Sequence, residues 1–312
     1  EEMVSKLAIS LRCEPTFFYQ AEREYGAPLS AHPMFRKKAS VGQKILDRII
    51  AELNVRIAHI RTFISAVDLA PELPLPQYDP DEFAGDVAVI AEQVRRAWLV
   101  PRGPIKSLTE FAERAGCLVV HCDMEAARID GVSYRIPGLP PIIFLNRNQP
   151  SDRMRFSLAH EIGHLVMHAY PIPEMEKQAD QFASALLMPA GDIGPELSNL
   201  TLDKAAYMKP VWQVSMASLI YRASTLQRID KNKSEYLWRQ MAVRNFRLRE
   251  PASVDFAPET TSVMNALVAN MTENMGYTRE ELSRALHLFY DEIAKMYSLQ
   301  GESQHPGLRL VK

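Results

Sequence analysis

The stretch RFSLAHEIGHLVMH occupies residues 155–168. It contains no proline, and its apolar positions Phe156, Leu158, Ala159, Ile162, Leu165 and Val166 predict a largely buried helix. Residues four apart stack on one face of an α-helix, so the imidazoles of His160 and His164 can reach a single ion. Glu161 lies ~100° round the helix from His160, beside such an ion without having to bind it. A carboxylate there can accept a proton and later hand it on. The bare spacing is a weak signal: with 8 His among 312 residues, chance supplies about 1.5 such matches per hundred chains. Context strengthens it, because two histidines and a glutamate on a buried helix need partners.

The next helical stretch offers them. In EKQADQFASALLMP (176–189), Glu176 and Asp180 are four apart and share a face with Ala183 and Leu187, which predicts both carboxylates facing the core. Ala179 and Ala183 are small enough to let this helix approach its neighbour closely. A catalytic zinc site takes three protein ligands and keeps one position open. One carboxylate completes that count, and the other suits the far nitrogen of a ligand histidine as a hydrogen-bond acceptor. Spacing does not choose between the two.

Together, RRAWLVPRGPIKSLTEFAERAGCLVV (95–120), IDGVSY (129–134), PPIIFLNRNQPSDRMRFSLAHEIGHLVMH (140–168) and EKQADQFASALLMP resemble, in order as well as in motif, the ImmA/IrrE family of metallo-endopeptidases. The resemblance covers roughly residues 85–190. It implies an α+β fold, mainly helical, with a zincin-like (gluzincin) peptidase domain and a small β-sheet, flanked by N- and C-terminal helices. It also implies Zn2+ held by His160, His164 and Glu176, with Glu161 as general base. Asp180 then falls to the hydrogen bond behind a ligand.

The rest of the chain sets bounds on this reading. Hydrophobic residues make up 47% and charged residues 24% of the sequence, and 36 Lys and Arg stand against 38 Asp and Glu. That balance permits a substantial core and argues against a chain built throughout as a polyanion binder. No run approaches ~18 apolar residues, so no membrane span is expected. Cys13, Cys117 and Cys122 are too few for a secreted disulfide framework and point to the cytoplasm. CLVVHC (117–122) alternates its side chains along a strand, so its thiols and His121 cannot all meet one metal.

Four segments are expected. Residues 1–30 resemble the closing part of an Xre/Cro-type helix-turn-helix domain, too short here for a complete DNA reader, which needs ~55–65 residues. Residues 31–80 form a connecting helix, with an apolar stripe running from Ile45 to Ile64, and the proline-rich linker APELPLPQYDPDEF (70–83). Residues 81–250 form the peptidase domain, with strands at 117–122, 129–134 and 142–145. Residues 251–312 form a C-terminal helical segment and tail, beyond a break at 249–262. Thr278 and Glu281 have capping-box spacing, and the apolar face of this segment would suit packing on the peptidase domain or a homodimer. The stretch 212–229 has a faint helix-turn-helix cadence that reads better as packing.

Other candidates carry less. His168 continues the helix about 6 Å beyond His164 and suits a hydrogen-bonding or packing role better than a ligand role. Strand 142–145 fits equally an edge for an incoming peptide or an ordinary core strand. Tyr207, Tyr221 and Arg222 could each stabilise an oxyanion. His32, His59, His287 and His305 read as solitary.

Two functions follow. One is a zinc endopeptidase that cleaves a regulatory protein, a DNA-binding repressor or related transcription factor, with DNA contact only through a complete N-terminal domain. The other is a transcriptional regulator that uses the peptidase-like domain as a sensor without proteolysis.

Overall fold

The computed structural model describes residues 2–20, 24–26, 43–65, 67, 69–124 and 129–299. The first part of the connecting segment, with His32, and the tail, with His305, lie outside the described residues. The helices are α1 (Glu2–Leu11), α2 (Gln43–Ile64), α3 (Val87–Ala97), α4 (Leu108–Arg114), α5 (Ser151–Met167), α6 (Met175–Leu187) and α7 (Ala190–Ile193). They continue with α8 (Leu202–Trp212), α9 (Met216–Thr225), α10 (Lys231–Val243), α11 (Val263–Ala269), α12 (Arg279–Leu286) and α13 (Tyr290–Tyr297). Contacts group the chain into two units, one of Glu1–Glu24, Glu52–Asp68 and Asn265–Lys312, the other of Tyr25–Ala51 and Leu69–Met264. The α+β, mainly helical architecture expected from the resemblance is the one observed.

The larger unit carries a three-stranded sheet of β1 (Leu118–Cys122), β2 (Gly131–Tyr134) and β3 (Ile142–Asn146), ordered β1-β3-β2. β3 runs parallel to β1, with Val120 opposite Phe144, and antiparallel to β2, with Ser133 opposite Ile143. All five residues of β3 are buried, as expected of a strand paired on both sides and covered on both faces. The edge-strand alternative for 142–145 is therefore overturned: β1 and β2 are the edges. Cys117 and Cys122 are buried, and burial pushes the Cys117 thiol up to about 12.

The core of this unit joins α3, α5 and α6 to one face of the sheet. Ile90, Ala91, Ile143, Leu158, Ala159, Ile162, Phe182, Ala183 and Leu186 are all at most 1% exposed. Gly163 sits where α5 and α6 touch, and a Cβ there would stand 2.9 Å from the Phe182 ring.

Two segments that read as a linker and a break are fastened to this unit by backbone hydrogen bonds. In 70–83, the amides of Glu72 and Leu73 donate to Arg114 O at 2.9 Å, Trp98 Nε1 donates to Pro74 O at 2.8 Å, and Tyr78 N donates to Val166 O at 2.9 Å. In 249–262, the Glu259 carboxylate accepts from Leu108 N at 3.0 Å and Thr109 N at 2.6 Å, capping α4, and also pairs with Arg155. Glu250 accepts from Met216 N at 3.0 Å and Ala217 N at 3.1 Å at the start of α9. Each carboxylate satisfies orphan amides in the first turn of a helix, where negative charge is favoured. The 212–229 region contributes Trp212, Met216, Leu219, Ile220 and Ala223 to the core, all at most 1% exposed, so its cadence is packing.

The smaller unit gathers helices from both ends of the chain. Ile57, Ile60 and Phe63 of α2 are 1% exposed within it. His59 is not solitary: Nδ1 lies 2.9 Å from Tyr297 Oη and Nε2 lies 2.8 Å from Leu286 O. Burial lowers its pKa to about 3. His287 Nδ1 lies 2.8 Å from Thr16 Oγ1. The capping box forms as expected, with Glu281 N donating to Thr278 Oγ1 at 3.2 Å and Thr278 N to Glu281 Oε2 at 2.9 Å.

Candidate metal centre

α5 presents His160 and His164 one turn apart, and their Nε2 atoms face each other at 3.0 Å. α6 brings Glu176 against both: Oε1 lies 3.3 Å from His164 Nε2 and Oε2 lies 3.7 Å from His160 Nε2. Two imidazole nitrogens and two carboxylate oxygens therefore converge on one small space.

Glu161 is the second carboxylate at this cluster. His160, Glu161 and His164 each offer a ligand atom within 4.8 Å of the others. Proximity alone would thus allow either glutamate to complete a ligand set, and their other bonds separate them. Glu161, 2% exposed, accepts a hydrogen bond from Ser133 Oγ of β2 at 2.7 Å on its Oε2. Glu176 Oε1 is buried and has no hydrogen-bond partner. A buried carboxylate oxygen without a donor is costly in free energy, and a cation between it and the histidines would remove that cost. The residues present therefore fit a metal ion, with Glu176 the better third ligand and Glu161 the better base.

The far side of each imidazole is also held. His160 Nδ1 donates to Asp180 Oδ1 at 2.9 Å. Asp180 does not face the core as its helical position suggested: its side chain is 63% exposed, and only the tip turns back to His160. His164 Nδ1 lies 3.0 Å from His168 Nδ1, and His168 Nε2 lies 2.9 Å from Gln178 Oε1. His168 is the C-cap of α5 with a hydrogen-bonding role, as its position suggested.

Electrostatics show the cluster's demand for positive charge. Burial pulls His160 down, but the hydrogen bond to Asp180, the nearby Glu176 carboxylate and the charge of Glu161 outweigh it and raise its pKa to about 10. Burial pushes Glu176 up, yet its contacts with His160 and His164 hold it at about 2. Without a metal, the site keeps a proton on His160, beside the atoms that would hold the cation.

Of the oxyanion candidates, Arg222 donates its Nε to Met188 O at 2.9 Å and so fastens the end of α6. Tyr207 and Tyr221 are 75% and 57% exposed. Sequence reading missed Ser133 and Gln178. Both lie on elements it identified, but a hydroxyl in an alternating strand and an amide in a polar helix turn carry no pattern of their own.

With that geometry in place, comparison with known proteins becomes specific. Residues 112–224 match the Peptidase_M78 family model, the IrrE N-terminal-like domain. The match bears out the ImmA/IrrE resemblance and spans every residue of the cluster, from Ser133 to Asp180. The IrrE N-terminal-like segment is thus metallopeptidase-like, and its His-Glu-His group could hold a metal. No curated protein matches the chain. Among the described residues, no helix is long and apolar enough to cross a membrane.

Proposed function

We propose that this protein is a zinc-dependent endopeptidase acting on a regulatory protein, a DNA-binding repressor or related transcription factor. The observation that carries this reading is the Glu176 carboxylate facing two histidine Nε2 atoms, its buried Oε1 without a hydrogen-bond donor, with Glu161 beside them. His160, His164 and Glu176 would hold Zn2+, the nitrogen and oxygen ligand set of a catalytic zinc with one position left open. When bound, the cation would polarise the scissile carbonyl and make water a nucleophile near neutral pH.

The chain's own residues supply the proton handling. Ser133 fixes one oxygen of Glu161, leaving the other to accept the proton of the attacking water and deliver it to the leaving amine. Asp180 holds His160 as its Nδ1–H form, so that Nε2 presents a lone pair. Glu161 and His164 are 2% and 4% exposed, and that burial strengthens each charge interaction at the cluster.

A protein substrate fits the resemblance to ImmA/IrrE peptidases, and three buried cysteines without a disulfide among the described residues favour the cytoplasm. We place any DNA contact in a complete N-terminal domain and leave a homodimer as a proposal for the apolar C-terminal helices.

The test is elemental analysis of the purified wild type and His164→Ala, beside cleavage of the cognate regulator. About one zinc per chain, lost in the variant, with cleavage stopped by a chelator, would support the endopeptidase. Zinc without cleavage would favour a metal-sensing regulator, and absence of zinc would overturn the reading.

A further inference from the structure

The two histidines of the cluster are backed differently. His160 leans on the carboxylate of Asp180, at the solvent edge. His164, 4% exposed, leans on a second histidine, which leans on an amide. We infer that His168 and Gln178 form a positioning relay that sets the tautomer of His164 and aims its Nε2 lone pair at the metal site. This rests on the proposed metal site.

Hydrogen-bond bookkeeping gives the direction. Gln178 Oε1 can only accept, so His168 Nε2 carries a hydrogen and donates to it across 2.9 Å. His168 is 6% exposed and in its neutral form keeps one hydrogen, so its Nδ1 is a lone pair. That lone pair lies 3.0 Å from His164 Nδ1, which must therefore donate. A neutral His164 with its hydrogen on Nδ1 has its lone pair on Nε2, 3.3 Å from Glu176 Oε1. Reversing the Gln178 amide would reverse every step and place a hydrogen on His164 Nε2, where a ligand needs none.

The end of the helix suits the relay. His168 leaves helical geometry, with φ −118° and ψ 100°, while its amide still bonds to His164 O at 2.9 Å. That turn frees its ring to lie between α5 and Gln178 on the first turns of α6. A carboxylate at the end of this relay would add a further negative charge to those of Glu161, Glu176 and Asp180. The amide orients without charging.

The test compares Gln178→Met, which keeps the volume and removes the acceptor, with Gln178→Glu, which keeps the acceptor. Zinc affinity is read by chelator competition, with thermal melts of the metal-free proteins alongside. The relay predicts a roughly 10- to 100-fold loss in Gln178→Met, the usual effect of losing a partner behind a ligand, and near wild-type affinity in Gln178→Glu. Unchanged affinity in Gln178→Met, or an equal loss in both variants at unchanged melting temperature, would overturn it. The second reading is the histidine 15N spectrum of metal-free wild type, which needs no variant and no bound metal. A hydrogen on His164 Nδ1 supports the relay even if wild type were to bind no zinc, a result that would count against the metal site alone. A neutral His164 with its hydrogen on Nε2 overturns the relay.

Discussion

Gly163 and Phe182 meet where the helix of His160 and His164 touches the helix of Glu176, and a methyl group on Gly163 would come within 2.9 Å of the ring. The ring is fully buried, so it can yield only by displacing its core neighbours. Gly163→Ala should gain up to about 1 kcal/mol of helix propensity and lose about 1–3 kcal/mol to overpacking. We expect a net loss of stability together with weaker zinc binding, because the helices that part carry His160 and His164 on one side and Glu176 on the other. Denaturant unfolding and metal competition on the same variant check both halves. A variant more stable than wild type with unchanged zinc affinity would contradict the tight contact.

On the proposed reading, Glu161 and Ser133 separate chemistry from metal binding. Glu161→Gln should retain zinc and lose cleavage by ~10²-fold or more, the usual contribution of a general base. Ser133→Ala should also retain zinc but lower kcat by roughly 10- to 100-fold, since a hydrogen bond to a charged group contributes about 1.5–3 kcal/mol. Zinc analysis and single-turnover cleavage of the two variants decide the matter. Loss of zinc in Glu161→Gln would instead make Glu161 a ligand.

The pattern of what the sequence disclosed follows from the range of each interaction. The juxtaposition of His160, Glu161 and His164 is legible because helical periodicity alone places them, whereas spacing leaves Glu176 and Asp180 open and only the family resemblance favours Glu176. Asp180 was assigned the right partner type but the wrong exposure, since helical spacing gives a face and not the depth of a side chain's tip. Ser133, which reaches Glu161 from a strand 28 residues earlier, depends on tertiary register and leaves no local trace. Segments 70–83 and 249–262 read as linker and break because proline and polar residues signal turns. Composition is silent on where backbone amides and carboxylates find partners, as Glu259 and Glu250 do on α4 and α9.

Metal-free protein should show a pH signature from the cluster. His160 is raised from 6.5 to about 10 in the fold, so its stabilisation is fully present below pH ~6.5 and is lost as pH rises through about 10. Glu176 is lowered from 4.5 to about 2, so its stabilisation is present above pH ~4.5 and is lost as pH falls through about 2. Chelator-treated protein should therefore gain most from this pair between pH ~4.5 and 6.5. A metal must displace the His160 proton, so zinc affinity should rise with pH over the neutral range and binding at pH 7 should release about one proton. Calorimetry of zinc binding in buffers of different ionisation enthalpy measures that proton. Binding without proton release would show His160 already neutral.

Lys209 carries a stability prediction away from the chemistry. Its ammonium is 2% exposed and lies 2.7 Å from Asp152, 2.9 Å from Glu250 and 3.0 Å from Asp255. Burial disfavours its charge, but the hydrogen bonds to Asp152, Glu250 and Asp255 outweigh that and raise its pKa. The contact ties α8 to the first turn of α5 and to the 249–262 segment. Lys209→Met fills much of the same space yet leaves Asp152 and Glu250, 8% and 10% exposed at their side chains, without their cation. Removing one partner of a buried ion pair typically costs about 3–5 kcal/mol, so chemical denaturation should register a loss of that size. The triple variant Lys209→Met, Asp152→Asn, Glu250→Gln should recover part of it, because the stranded charges are then gone. A Lys209→Met protein as stable as wild type would mean that water already solvates those carboxylates.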